Sequence, residues 1–168
     1  MKKDTDKQFE VLNSFAQQTN KFCWTLDKPE STVSLGSTLT KKFPDLSILL
    51  LNGPLGAGKT TLVKGIAKSL KIQETITSPT FPLSQHYPFG SPPLIHLDLY
   101  RIEEQNAANE FFLQEEEESK AIGALMVVEW PERLSLPMPD AWRGKLEYSS
   151  DNQSRFFQLT PPLYKDNK

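Results

Sequence analysis

The sequence predicts an α/β fold: a three-layer domain with a central mixed, largely parallel sheet and a C-terminal hairpin. Three observations carry this expectation. The short apolar run Leu46–Leu51 is broken by Gly53 and followed by a helical pattern at Leu62, Val63, Ile66, Ala67 and Leu70. Two further apolar strands follow, Leu94–Leu99 and Ala124–Val128, separated by a polar, helix-prone stretch. Lys145–Tyr148 and Arg155–Leu159 then alternate as the arms of a hairpin turned at Ser149–Ser154. Strand, glycine-rich turn and helix in that order open a parallel α/β unit.

Each element has its own signal. Phe22, Trp24 and Leu26 alternate in Lys21–Leu26 like an edge strand, and a helix is predicted from Ser31 to about Phe43, after Pro29. Residues 71–91 carry Pro79, Pro82, Pro88 and Gly90 and read as a long functional loop broken by a short strand. The helix predicted over Arg101–Lys120 offers Phe111, Phe112 and Leu113 for packing. Its acidic run Glu115–Glu118 reads as a solvated helix end or loop, because four adjacent carboxylates repel one another. One domain is expected over residues 21–162, with an N-terminal extension at 1–20 that is helical or mobile and a loose tail at 163–168. Phe9, Leu12 and Phe15 are spaced for one face of a short helix in that extension.

Composition narrows the function. A chain of 168 residues can bury a core without staples. A net charge of −2 does not suggest a protein that coats nucleic acid. The single cysteine, Cys23, lies between Phe22 and Trp24 and reads as a small core residue. It allows no intrachain disulfide and fits a reducing compartment. No secretory signal pattern and no membrane-spanning run is found, so a cytoplasmic protein is expected.

The chemistry begins at Gly53-Pro-Leu-Gly-Ala-Gly-Lys-Thr60, which matches G-x-x-x-x-G-K-[ST]. A polyphosphate needs many donors at short range, and backbone N–H groups supply them only where the chain wraps closely. Gly53, Gly56 and Gly58 permit that wrapping. The helix beginning near Gly58 turns its free N–H groups and positive dipole end toward an anion. Lys59 can reach the β- and γ-phosphates, the Thr60 hydroxyl can ligate Mg²⁺, and Thr61 can add a contact near the α-phosphate. The expected cofactors are ATP and Mg²⁺. No Asn-Lys-x-Asp guanine signature follows the loop.

A site of this kind adds an acid at the end of a neighbouring strand. Asp98 after Leu94-Ile-His-Leu97 and Glu129 after Leu125-Met-Val-Val128 both qualify. Periodicity does not say which touches the metal and which orients the attacking water. Ser78-Pro-Thr-Phe81 can report the γ-phosphate from its loop, or is a plain proline turn. His96, inside a strand, reads as a hydrogen-bonded core residue, and neither His96 nor His86 has partners at zinc-site spacing.

Four blocks in order make the pattern specific: Leu51-Asn-Gly-Pro-Leu-Gly-Ala-Gly-Lys-Thr-Thr61, Thr77-Ser-Pro-Thr-Phe81, His96-Leu-Asp-Leu-Tyr-Arg101 and Glu129-Trp-Pro-Glu-Arg133. Together they resemble the bacterial TsaE (YjeE) family, small ATPases needed for threonylcarbamoyladenosine modification of tRNA. The resemblance runs from about Trp24 to Leu159. It implies a P-loop NTPase fold, weak intrinsic ATP hydrolysis, and the TsaB–TsaD complex as partner, with tRNA met indirectly through that complex. It casts Lys59, Asp98 and Glu129 as catalytic and Thr60, Glu129 and Asp98 as metal-binding. Gly53, Leu55, Gly56, Ala57, Gly58, Lys59, Thr60, Thr61, Ser78, Thr80 and Trp130 would contact the nucleotide. Pro54 stands where the family commonly has Asp, and residues 102–113 are only loosely similar to the family's acidic helix. The rival readings are a small-molecule kinase and a nucleotide-dependent binding module with negligible hydrolysis.

Overall fold

Leu49 and Leu51 point to one side of the sheet while Ile48 and Leu50 point to the other, each pair into its own core. That two-sided burial explains the continuous apolar run: a strand covered on both faces has no polar side to show. The computed structural model describes residues 22–79, 83–150 and 152–163. Its strands are β1 (Phe22–Leu26), β2 (Ile48–Asn52), β3 (Ser84–Tyr87), β4 (Leu94–Asp98), β5 (Leu125–Glu129), β6 (Trp142–Tyr148) and β7 (Arg155–Thr160). Its helices are α1 (Pro29–Lys42), α2 (Lys59–Ser69) and α3 (Gln105–Ile122), with a single 3₁₀ turn at Pro131–Arg133.

The seven strands form one sheet in the order β1-β7-β6-β2-β5-β4-β3. β6, β2, β5 and β4 run parallel at its centre, and β7 and β3 pair antiparallel on either side. β1 closes one edge against β7. The hairpin arm β6 thus lies inside the sheet beside β2, three residues longer than its alternation alone marked.

One face packs on α1 and α2 through Leu35, Leu39, Leu62, Val63 and Ile66; the other meets α3 through Phe112. α1 and α2 approach unusually closely. A Cβ on Gly65 would lie 2.0 Å from the Val33 carbonyl oxygen. Ser37 Oγ donates to the Gly65 carbonyl at 2.8 Å across the same contact. Absent side chains are what let the two backbones meet and hold α2, with the loop at its N-terminus, firmly to the domain.

Three sequence expectations are corrected. Cys23 is exposed rather than a core residue, because it points away from the face that buries Trp24 and Leu26. Leu113 is also exposed, and α3 buries Ala108, Phe112, Glu115 and Ser119 instead. The acidic run is not wholly solvated. It lies within α3, and at helical spacing its first member falls on the buried stripe. Glu115 there accepts hydrogen bonds from Ser84 Oγ at 2.8 Å and from His86 at 2.6 Å, tying the edge strand β3 to the helix. The N-terminal extension, Thr80, Phe81 and most of the expected tail lie outside the described residues.

Candidate functional site

The loop from β2 to α2 is built on backbone that ordinary residues avoid. Gly53, Gly56 and Gly58 have φ of 150°, 75° and 105°. Gly58 is also the N-cap of α2, so the left-handed turn delivers the chain directly into the helix. Lys59 and Thr60 are that helix's first two residues.

Lys59 is buried, and its Nζ folds back over the loop to donate to the Gly53 carbonyl at 2.7 Å and the Pro54 carbonyl at 3.1 Å. The ammonium also lies 4.1 Å from the Trp130 ring centroid, within cation–π range. Burial pulls its pKa below the ordinary 10.5, against the opposing charges of Glu129, Glu132 and Asp98. A buried ammonium resting on two neutral carbonyls and a ring is a cation prepared to meet an anion.

The two strand-end acids sit side by side. β4 and β5 pair in parallel with Asp98 opposite Glu129. Counting two residues at a time from Leu94 and Leu125 places both carboxylates on the α1–α2 face, the face that α2 covers. Their partners distinguish them. Thr60 Oγ1 donates to Glu129 Oε1 at 2.8 Å, and His96 Nε2 meets the same oxygen at 2.9 Å. Asp98 is turned to the loops: Ser78 Oγ donates to its Oδ2 at 2.6 Å and the Tyr100 N–H to its Oδ1 at 3.0 Å. Arg133 donates to the Tyr100 carbonyl.

Trp130 follows Glu129 at φ 59°, a left-handed conformation rare for a bulky residue. This turn swings the indole over Lys59 and against Tyr100, with ring centroids 4.8 Å apart. On the loop's outer rim Tyr148 donates its hydroxyl to the Leu55 carbonyl at 2.8 Å, while the Leu55 side chain is 70% exposed. Ala57 is buried.

Beside the loop, away from the acids, lies a cleft of about 150 Å³. Gly56, Ala57, Gly58 and Thr61 form its loop side, and Leu26, Asp27, Lys28, Pro29, Thr32, Gln153 and Arg155 line the rest. Sequence reading missed this second set. Its members come from the end of β1 through the first turn of α1 and from the β6–β7 turn into the start of β7, distant in sequence, and no motif spacing connects them. The structure therefore brings together Gly53–Thr61, Ser78, Asp98, Glu129 and Trp130; Thr80 lies outside the described residues.

Among the described residues no three His, Cys, Asp or Glu side chains cluster as a metal cage. A hydroxyl beside a strand-end carboxylate is a different kind of site. It suits Mg²⁺, which keeps several waters and takes one or two protein oxygens together with substrate phosphates. In composition the residues present fit that ion and an anion at the helix start.

Residues 26–157 match the family described as threonylcarbamoyl adenosine biosynthesis protein TsaE. The chain belongs to the TsaE family. Its relatives include the tRNA threonylcarbamoyladenosine biosynthesis protein TsaE of Nostoc sp., 42% identical over 79% of this chain and 81% of that one. The Mycobacterium tuberculosis protein of the same description is 41% identical over 66% of this chain and 69% of its own. Among solved structures, Bacillus subtilus YdiB aligns with TM-score 0.61 and 26% identity over 84% of this chain and 86% of that chain. The family match takes in every described site residue named above, from the Leu26 side of the cleft to Arg155. No helix among the described residues is long and apolar enough to cross a membrane.

Proposed function

We propose that this TsaE family member is a Mg²⁺-dependent ATPase of tRNA threonylcarbamoyladenosine biosynthesis, with the Gly53–Thr60 segment as a P-loop. The observation that carries the reading is the hydrogen bond from Thr60 to Glu129, made at the start of the helix that Lys59 opens. It joins a hydroxyl, a carboxylate and a buried ammonium at the N-terminus of one helix, the set that a metal-bound triphosphate requires.

The residues divide the work by position. The N–H groups at the start of α2 and in the loop would hold the β- and γ-phosphates, and Lys59 would exchange the Gly53 and Pro54 carbonyls for phosphate oxygens. Thr60 and Glu129 would hold Mg²⁺, Glu129 directly or through a metal-bound water. Mg²⁺ when bound would neutralise charge developing on the β- and γ-phosphate oxygens. Asp98, one strand away, would orient the attacking water and couple it to the Ser78 loop through the Ser78–Asp98 bond. Trp130 would cover the phosphates, and the cleft lined by Thr32 and Arg155 would receive the nucleoside beyond Thr61.

The partner reading follows the family. Hydrolysis would be slow alone and would reset the TsaB–TsaD complex between turnovers, with tRNA met through that complex. The deciding experiment is steady-state ATP hydrolysis with and without Mg²⁺, and with and without the cognate TsaB–TsaD pair. The expected result is slow Mg²⁺-dependent turnover that rises with the partners. Nucleotide binding without any turnover, even with partners present, would replace the ATPase with a nucleotide-dependent binding module.

A further inference from the structure

His96 interrupts a buried strand. Its neighbours Leu94, Ile95 and Leu97 are all fully buried, and so is the imidazole itself. On the same face of the sheet the surrounding residues Leu49, Leu51, Leu125 and Val127 are apolar. Burying a polar ring costs free energy unless its nitrogens are hydrogen-bonded. Among the described residues only one is: Nε2 lies 2.9 Å from Glu129 Oε1, while Nδ1 is buried and meets no partner there. An apolar side chain would fill this position without an orphaned nitrogen. The half-satisfied ring is explained by what its other half does.

We propose that His96 is a positioning residue for Glu129. A carboxylate accepts, so the proton of the imidazole sits on Nε2 and the bare acceptor nitrogen is Nδ1. The register makes the contact: His96 lies opposite Val127, and Glu129 is the next residue along β5 on the same face. A glutamate on its own can swing through several rotamers. With Nε2–H fixed in the core behind it and the Thr60 hydroxyl in front, Oε1 is held from two sides. Both donors use Oε1, which leaves Oε2 to offer to Mg²⁺ or to its bound water. The Thr60 donor belongs to the site's mobile chemistry, since that hydroxyl would also turn a lone pair to the metal. The His96 donor belongs to the sheet and stays whether or not nucleotide is bound. This inference rests on the reading of Thr60 and Glu129 as the Mg²⁺ site.

The test uses His96→Leu, which keeps bulk and removes the donor, and His96→Gln, whose amide reaches the place of Nε2. Binding of a fluorescent ADP to the full chain is measured in EDTA and across a Mg²⁺ titration, beside thermal unfolding. The expected result is an unchanged affinity in EDTA for His96→Leu. Its half-saturating Mg²⁺ should rise by about ten-fold or more, the usual scale for losing a partner of a metal-site group. His96→Gln should recover most of that loss. Identical Mg²⁺ titrations for wild type and His96→Leu would overturn the proposal, and so would equal damage in EDTA and in Mg²⁺ by both variants. If wild type binds ADP with no dependence on Mg²⁺, the metal-site reading itself falls and the inference falls with it. Should His96→Leu fail to fold, the wild-type imidazole ¹⁵N spectrum decides. The chain has two histidines, so His86→Gln assigns the signals. A protonated Nε2 whose resonance moves when Mg²⁺ joins the nucleotide is expected; a proton on Nδ1 would overturn the proposal.

Discussion

Thr60 Oγ1 and Glu129 Oε1 lie 2.8 Å apart, joined across 69 residues of sequence. One is the second residue of a helix and the other the last residue of a parallel strand. Open α/β sheets gather ligands at this place, where strand ends and helix starts converge. Thr60→Ala should therefore weaken the Mg²⁺-dependent part of nucleotide binding by about 10–100-fold and leave binding in EDTA nearly unchanged. Thr60→Ser should keep it. Titrating Mg²⁺ against bound nucleotide checks both, and equal affinities for Thr60→Ala and wild type in Mg²⁺ would remove Thr60 from the metal site.

Lys59 supplies a pH-dependent prediction. Its folded pKa is below 10.5 because burial disfavours the ammonium. The penalty on the protonated form is fully present below the folded pKa and fades as pH rises from there to 10.5, where the unfolded chain also loses its proton. Lys59→Met should therefore gain most over wild type in stability at neutral pH, and the gap should close toward pH 10.5. Urea unfolding at a series of pH values measures it; a gap that widens with pH contradicts the assignment. Nucleotide binding reverses the local sign, because phosphate favours the ammonium. In alkaline buffer, binding should take up protons, seen as a dependence of the calorimetric heat on buffer ionisation. Lys59→Met should also lose most nucleotide affinity while staying folded.

Asp98 and Ser78 separate chemistry from loop anchoring. Asp98→Ala should lower the hydrolysis rate far more than nucleotide affinity, and should make the loop after α2 more sensitive to protease. Ser78→Ala breaks the same 2.6 Å bond while leaving the acid in place. It should loosen the loop similarly and retain more of the rate. If the two variants lose rate equally, Asp98 acts only as the loop's anchor.

Glu115 and Glu117 stand two residues apart in one acidic run, on opposite sides of the helix. Glu115 is buried and receives bonds from Ser84 and His86; Glu117 is exposed. Glu115→Ala should cost about 1–3 kcal/mol, the range for leaving buried polar groups without partners. Glu117→Ala should be nearly neutral. Equal midpoints in thermal unfolding would show that the clasp between β3 and α3 contributes no stability.

Local order was the part that could be read in advance. Period and punctuation marked the described strands and helices, because burial on two faces or on one stripe leaves its mark residue by residue. The edge placement of β1 was legible for the same reason. Gly53–Thr60 was legible because close backbone wrapping demands glycine at particular steps. Asp98 and Glu129 stood out because each ends an apolar run. Cys23, Leu113 and Glu115 were misread because a residue's immediate neighbours do not determine which side of an element finds cover.

The sequence by itself determined the elements, the phosphate-loop motif and the short list of acids. Only the tertiary structure decided that Glu129 takes the Thr60 hydroxyl and Asp98 the Ser78 loop. Only there do His96 stand behind Glu129 and Thr32 and Arg155 share one cleft. The physical reason is range. Helix, strand and turn preferences are set by residues a few positions apart, whereas a hydrogen bond between β4 and β5 exists only after the sheet has set their register.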